Sequence, residues 1–380
     1  MSTKKKQINL FEAFSGIWSQ HQALKNLWYN VNIVWISDWY IDAIIAYAVN
    51  HLWIKWQKID RKKTIEFLKN FSLSRDSKKQ AKSFSGLSDE KLSILEQVIN
   101  KFGKLDINHI SWDYFVWKNT DLFTYSFPCQ DISNQWKKAW FSKDNECKTR
   151  SGLLWEIERI LKEIKTLDKN SLPKILMMEN VKAILNKQFE NDLNWWIKEL
   201  KKLWYKSTKP FIVDASEVWS PQKRQRVFMI SMLEETPKEF ELNWNFNQKY
   251  LWDILTNLNH EKLDLKDWTI KKVEKKYKDL KNKKWFLENY TTFNAENYFY
   301  YKDAFAPTIT ASWAQSRIKY LEDDWNIYFL NSLEHLLLQG FNKEFYKKLK
   351  NLDFPETKIK FLAWNSINVK VLKEIFKFYL

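Results

Sequence analysis

The sequence predicts an α/β fold: a doubly wound, mostly parallel sheet with a smaller, β-rich domain. Three observations predict it. Before residue 235, short apolar runs alternate with amphipathic stretches, the pattern of β-α repeats that build a parallel sheet. Several runs end in residues able to do chemistry, as strands of an open α/β sheet do at their carboxyl edge. Beyond 235 the alternation gives way to aromatic, polar, β-prone sequence.

In chain order, residues 8–14 read as a strand and 19–29 as a helix, with a turn, Phe14 to Trp18, between them. "VNIVWIS" (31–37) is a second strand and ends at Asp38, twenty residues after Trp18. An acidic residue about 20 positions past such a turn is placed to accept hydrogen bonds from a ribose. A helix is expected over 41–51, and a polar, Lys-rich helical insertion over 61–110. "DLFTYSF" (121–127) is a strand that runs into Pro128-Cys129, and 150–164 has helical periodicity. "KILMMEN" (174–180) is a strand carrying Glu179 near its end, and "RVFMISM" (226–232) is another. The basic run 266–285 and the aromatic run 289–321 belong to the second domain, and 365–380 is an amphipathic helix that could return to the first. The expected division is 1–235, 236–345 and 346–380.

The formal net charge of +16 favours a polyanionic partner, most simply nucleic acid. No run approaches the roughly 18 apolar residues that span a bilayer, and the start lacks a signal-peptide core. A cytoplasmic protein with no membrane partner is expected. Two cysteines, Cys129 and Cys147, make neither a disulfide framework nor a metal cluster, so no metal is expected.

The chain has 5 glycines and 22 tryptophans. Average usage would place about 27 glycines in this length, which is what the two residue types amount to together. Many tryptophans stand in turn-like contexts, at 18, 136, 140, 204, 313, 325 and 364. Those are places for a positive φ or a close backbone approach, which glycine supplies and tryptophan resists. Trp39 and Trp155, by contrast, suit an aromatic residue. Either the gene uses UGA for glycine and has been read with UGA as tryptophan, or the tryptophans are genuine.

"FEAFSGI" with Asp38-Trp39, "SFPCQDIS", "MMENV", "QKRQRVF" and "AWNSINV" stand in one order. In that order they resemble the bacterial DNA (cytosine-5)-methyltransferases, the CG-specific members in particular. The resemblance covers most of the chain. The family has glycine where this chain has Trp18, Trp136, Trp140, Trp313 and Trp364. The resemblance implies an S-adenosylmethionine-dependent methyltransferase fold. It also implies a reaction that flips a cytosine out of duplex DNA and methylates its C5. Cys129 would be the nucleophile and Glu179, with a raised pKa in a dry pocket, would hold the N3 and amino edge of the base. Arg224 and Arg226 would assist, and Asn180 and Val181 would shape the pocket.

For the cofactor, S-adenosylmethionine, the resemblance puts Phe14 beside the adenine and Gly16, Ile17 and Trp18 near the methionine part. Asp38 would bind the ribose, Trp39 would stack on the adenine, and Asn365 and Ser366 would close the site. Gln130, Ser133 and Gln135 lie on the loop that closes over DNA. Gln222, Thr308, Thr310, Ser312 and Arg317 are the further DNA-facing candidates. The partners implied are double-stranded DNA and, in a restriction-modification system, a cognate endonuclease, with the chain a monomer. Two other readings remain: an RNA cytosine-5 methyltransferase, and a catalytically silent DNA-binding protein of the same fold if the tryptophans are genuine.

Overall fold

The computed structural model describes residues 6–17, 19–127, 153–242, 248–264, 269–271, 283–288, 290–292, 296–309 and 317–380. The chain divides into two compact units. The first holds residues 1–213, 225–241 and 375–380, and the second holds 214–224 and 242–374.

The first unit is built on a seven-stranded sheet in the order β2-β1-β3-β4-β7-β5, with β6 also paired to β7. Its strands are β1 (Gln7–Ala13), β2 (Asn30–Ser37), β3 (Leu122–Tyr125), β4 (Ile175–Val181), β5 (Tyr205–Ser207), β6 (Phe211–Asp214) and β7 (Gln225–Leu233). From β2 through β4 every pairing is parallel; β7 runs antiparallel to β4 and to β5. β3 and most of β4 are buried, which is why "LFTY" and "ILMMEN" read as continuous apolar runs rather than alternating ones.

The helices are α1 (Ser19–Asn26), α2 (Ile41–Tyr47), α3 (Arg61–Leu68), α4 (Asp89–Phe102), α5 (Leu154–Leu167) and α6 (Glu190–Lys202). α5 buries Ile157, Ile160, Leu161 and Ile164, the three-and-four spacing of one helical face. Its outer face ties Arg159 to Glu156 and Glu163 at 2.8 and 2.7 Å. The expected polar insertion at 61–110 is more integral than its lysines suggest. α4 buries Leu92, Leu95, Val98, Ile99 and Phe102, and Ser88 caps its start. Beyond Tyr47 the helix widens into a π turn, Ala48–Leu52. In the core Phe11 stacks on Phe115 and meets Phe123 edge-on, and buried Trp196 donates its indole N–H to the Tyr125 hydroxyl at 3.1 Å.

The second unit holds a five-stranded sheet in the order β12-β11-β10-β9-β8. Its strands are β8 (Thr269–Lys271), β9 (Lys284–Glu288), β10 (Tyr298–Tyr301), β11 (Lys319–Leu321) and β12 (Ile327–Phe329). Only the β10–β11 pairing is parallel. α7 (Ser332–Leu338), α8 (Lys343–Asn351) and α9 (Glu356–Trp364) follow, and α10 (Val369–Tyr379) ends with residues that belong to the first unit. There Phe378 and Tyr379 pack on Phe240. Among the described residues no helix is long and apolar enough to cross a membrane.

Eleven non-glycine residues among those described have positive φ, and six of them are tryptophans: Trp28, Trp53, Trp117, Trp204, Trp219 and Trp325. All six side chains are exposed, by 43% to 88%. Trp28 occupies a helix C-cap in which Tyr29 N–H donates to Leu24 and Trp28 N–H to Lys25. The same two-bond pattern after α7 carries Gly340, and after α8 the small Asp353.

Candidate active site

The parallel strands deliver their carboxyl ends to one edge, and the predicted first-unit residues among those described gather there. After Ala13 the chain turns at Phe14 and Gly16, both left-handed, with φ of 57° and 55°. The turn is stitched to the end of β2. Ser15 N–H and Oγ donate to Ser37 O at 3.1 and 3.2 Å, and Gly16 N–H donates to Asp38 Oδ2 at 2.8 Å. The other Asp38 oxygen accepts from Tyr40 N–H at 2.8 Å. Burial pushes the Asp38 carboxyl up to about 6, against the pull of the Tyr40, Gly16 and Trp39 backbone N–H groups. Ile17 is buried, and Trp39 follows Asp38 directly at the strand end. Trp18 lies outside the described residues.

The end of β3 is held from both sides. Ser126 Oγ donates to Phe14 O at 3.2 Å, and Asn180 Nδ2 donates to Phe127 O at 3.2 Å. Ser126 and Phe127 are thereby fixed beside the ends of β1 and β4, and Pro128-Cys129 follow them in sequence. Cys129 itself, with Gln130, Ser133, Gln135, Trp136 and Trp140, lies outside the described residues.

β4 brings Glu179 to the same edge, 7% exposed. Because β7 is antiparallel to β4, its start meets the end of β4, and Val181 pairs with Arg226. Arg226 Nε lies 3.3 Å from Glu179 Oε1, an ion pair between a buried acid and a part-buried guanidinium. A carboxylate with two oxygens and a planar guanidinium form a polar floor that can hold the hydrogen-bonding edge of a flat ring.

The remaining candidates belong to the second unit. Gln222 is buried, donating to Pro307 O at 3.1 Å and accepting from Gln339 at 3.0 Å. The Arg224 guanidinium reaches Ile309 O at 3.3 Å and both Trp364 O and Ser366 O at 2.9 Å. Thr308 Oγ1 donates to Lys223 O at 2.6 Å. Arg317 pairs with Glu261 at 2.8 Å and lies over the Phe329 ring at 4.1 Å. Asn365 is exposed, and Ser366 is buried with its hydroxyl on Ala363 O at 2.6 Å. Thr310, Ser312 and Trp313 lie outside the described residues.

Sequence reasoning missed a buried polar cluster that includes Glu12, two residues before Phe14. Glu12, on β1, is fully buried; desolvation raises its carboxyl well above the usual range, and the His21 N–H pulls it back. His21 Nδ1 lies 2.6 Å from His51 Nδ1, and Asn50 Nδ2 lies 3.1 Å from His51 Nε2. Burial, with Lys25 adding to it, lowers His21 to about 3. The only signal was a charged residue inside an apolar strand, "NLFEAF".

The profile of "C-5 cytosine-specific DNA methylase" matches residues 69–379. The chain is 37% identical over 398 residues to "Orphan methyltransferase M.SssI" of Spiroplasma monobiae, covering 99% of this chain and 98% of that one. It is 32% identical to "Type II methyltransferase M2.ScrFI" of Lactococcus lactis subsp. cremoris, covering 68% and 71%. Among solved structures it is similar in fold to the Dnmt2 methyltransferase of S. pombe, with a TM-score of 0.60, 16% identity and 97% of each chain covered. It is also similar to EhMeth of Entamoeba histolytica, with a TM-score of 0.62, 16% identity and 98% of each covered.

Proposed function

The chain belongs to the C-5 cytosine-specific DNA methylases, and from that premise we propose how its residues divide the work. The enzyme is a DNA (cytosine-5)-methyltransferase, and S-adenosylmethionine is the methyl donor its family implies. The RNA and silent-binder readings are not favoured by these relatives.

C5 of cytosine is a poor nucleophile. In the reading we favour, the Cys129 thiolate bonds to C6 of the flipped base, and the displaced electrons make C5 enamine-like. C5 takes the methyl group and gives its proton to a water molecule acting as base, the C6–S bond breaks to return the thiolate, and N3 hands its added proton back to Glu179. Glu179 holds the N3 and amino edge and supplies the proton that N3 needs as the ring accepts sulfur. Arg226, 3.3 Å from Glu179, orients that carboxyl. The observation that carries the reading is this ion pair, on a strand end whose next residue, Asn180, holds the Phe127 carbonyl two positions before Cys129 in sequence.

The residues fit the cofactor. Asp38 at pH 7 is an acceptor-only group with lone-pair capacity beyond the backbone N–H groups it already satisfies, which suits ribose hydroxyls. The left-handed turn at Phe14 and Gly16 brings backbone close to where the methionine part would lie. When bound, S-adenosylmethionine supplies an electrophilic methyl on a sulfonium. Phe14, Ile17, position 18, Trp39, Asn365 and Ser366 complete that site in our assignment. Gln130, Ser133, Gln135, Gln222, Thr308, Thr310, Ser312 and Arg317 form the DNA-facing set, with CG as the target. We place the boundaries of the catalytic and recognition parts at 235 and 345, and the enzyme acts as a monomer, solitary or beside a cognate restriction endonuclease.

The test is direct. The full chain, duplex and labelled cofactor are incubated, and the products are sequenced after bisulfite conversion. Label at C5 of cytosine that disappears in Cys129→Ser supports the reading. Methylation that survives this change refutes the assigned nucleophile.

We also infer that glycine stands in the working protein where tryptophan is left-handed. A bulky residue at positive φ costs about 1–2 kcal/mol, and six such sites approach the whole usual margin of about 5–15 kcal/mol. Trp28 and Gly340 sit in the same capping pattern, which glycine serves without strain. Trp364, by contrast, ends α9 in helical backbone and packs on Phe361. UGA codons at positions 28, 53, 117, 204, 219 and 325, and a native protein lighter by an indolylmethylene unit at each, would support the inference. UGG codons there would end it.

A further inference from the structure

The run Gln222-Lys-Arg224-Gln-Arg226 places three polar side chains at intervals of two, on one face of extended backbone. Arg226 serves the acid in the first unit. Arg224 has a different set of partners. It is 3% exposed, and its guanidinium donates to three main-chain carbonyls. Two of these, on Trp364 and Ser366, flank Asn365 at the end of α9. The third, on Ile309, directly follows Thr308. The Arg224 backbone is fixed as well, its N–H on Asp214 Oδ1 and its carbonyl on Ala215 N–H, both at 3.1 Å. Around it, Lys223 N–H donates to Ala306 O at 2.9 Å and Ala306 N–H to Pro221 O at 2.7 Å.

We infer that Arg224 is a positioning residue that fastens the 364–366 turn to the 307–309 segment, so that cofactor and DNA binding are coupled through its guanidinium. The inference rests on the assignments above, which put Asn365 and Ser366 at the cofactor and Thr308 at the DNA. A rigid planar fork with five donors can satisfy three carbonyls in fixed directions; a lysine ammonium cannot reproduce that geometry. Carbonyls at a helix end also favour a cation. Because the fork binds backbone on both segments, displacement of one is felt by the other, and such coupling is reciprocal.

Two measurements test it on the full chain. In the parent, hydrogen exchange is followed with S-adenosylhomocysteine alone and with a CG-containing duplex alone. The expected result is that the cofactor product slows exchange at 307–309 and the duplex slows it at 364–366. Protection confined to each ligand's own segment overturns the proposal.

In Arg224→Lys, the affinity for S-adenosylhomocysteine is measured with and without duplex. The parent's enhancement by duplex is expected to fall by about tenfold, a typical loss for a bond to a charged group. KM for both substrates should rise by a larger factor than kcat at saturation falls. A variant that keeps the enhancement, or one that loses only thermal stability, overturns it. Should Arg224→Lys fail to fold, the exchange experiment on the parent decides alone. A parent that exchanges as expected but transfers no methyl to C5 refutes the functional reading and leaves the clamp standing; the reverse outcome refutes only the clamp.

Discussion

Gly16 N–H donates to Asp38 Oδ2 at 2.8 Å, so the turn that ends β1 is closed by the acid that ends β2. The bond makes one proposed cofactor residue the support of another. Removing the Asp38 carboxylate should therefore loosen the turn as well as the proposed ribose site.

Asp38→Asn keeps the shape and removes the charge. We expect KM for S-adenosylmethionine to rise about 10- to 100-fold, as for loss of a charge-assisted hydrogen bond. The parent should show a matching pH effect. The Asp38 group is raised to about 6, so it gains a proton as pH falls through 6 and loses acceptor capacity. Cofactor affinity measured by calorimetry should be flat above pH 7 and weaken below 6. Affinity independent of pH from 5 to 8 would exclude the role.

Glu179→Gln retains a hydrogen-bonding side chain but cannot deliver the proton to N3. The expected loss is about 10²–10⁴ in kcat, with DNA affinity nearly kept, read by single-turnover methylation. Arg226→Met removes the guanidinium 3.3 Å from buried Glu179, a change that destabilises by about 3–5 kcal/mol and should appear first in urea denaturation.

The buried histidine gives a stability prediction with a sign. His21 is lowered to about 3 from 6.5, so between those values the unfolded chain binds the extra proton. Its contribution is intact above about 6.5 and is lost as pH falls toward 3. His21→Gln should flatten the decline of stability in that window. Glu12 is raised and acts oppositely, favouring the fold toward acid pH, so Glu12→Gln should steepen the decline. Denaturation midpoints from pH 3 to 8 check both; parallel curves for the variants and the parent would contradict them.

Trp28→Gly and Trp204→Gly should each raise stability by about 1 kcal/mol, since the relief of left-handed strain exceeds the entropy glycine adds to the unfolded chain. Trp196→Gly should lower it by about 3–5 kcal/mol, because that indole fills the core and donates to Tyr125. Equal effects at all three positions would refute the distinction.

The first-unit strands were legible because each is a short apolar run bounded by turns, and Leu122–Tyr125 and Ile175–Val181 fall within a few residues of the expected spans. The Asp38 and Glu179 edge was legible for the same reason: acids at strand ends. The role of α4 was not, since its lysines face solvent and hide the period of Leu92, Leu95, Val98 and Phe102. Nor was the different company of Arg224 and Arg226, which stand two residues apart but bond to different units. Spacing places side chains on a face without saying which partners the fold brings to it.

The left-handed tryptophans also bear on inheritance between species. If those triplets are UGA, a cell using the ordinary code would stop at or before the one for Trp28, leaving a fragment that ends before β2. The gene could then be carried into such a cell on mobile DNA but could not mark its new genome, so the activity would stay confined to hosts that share its reading of that codon.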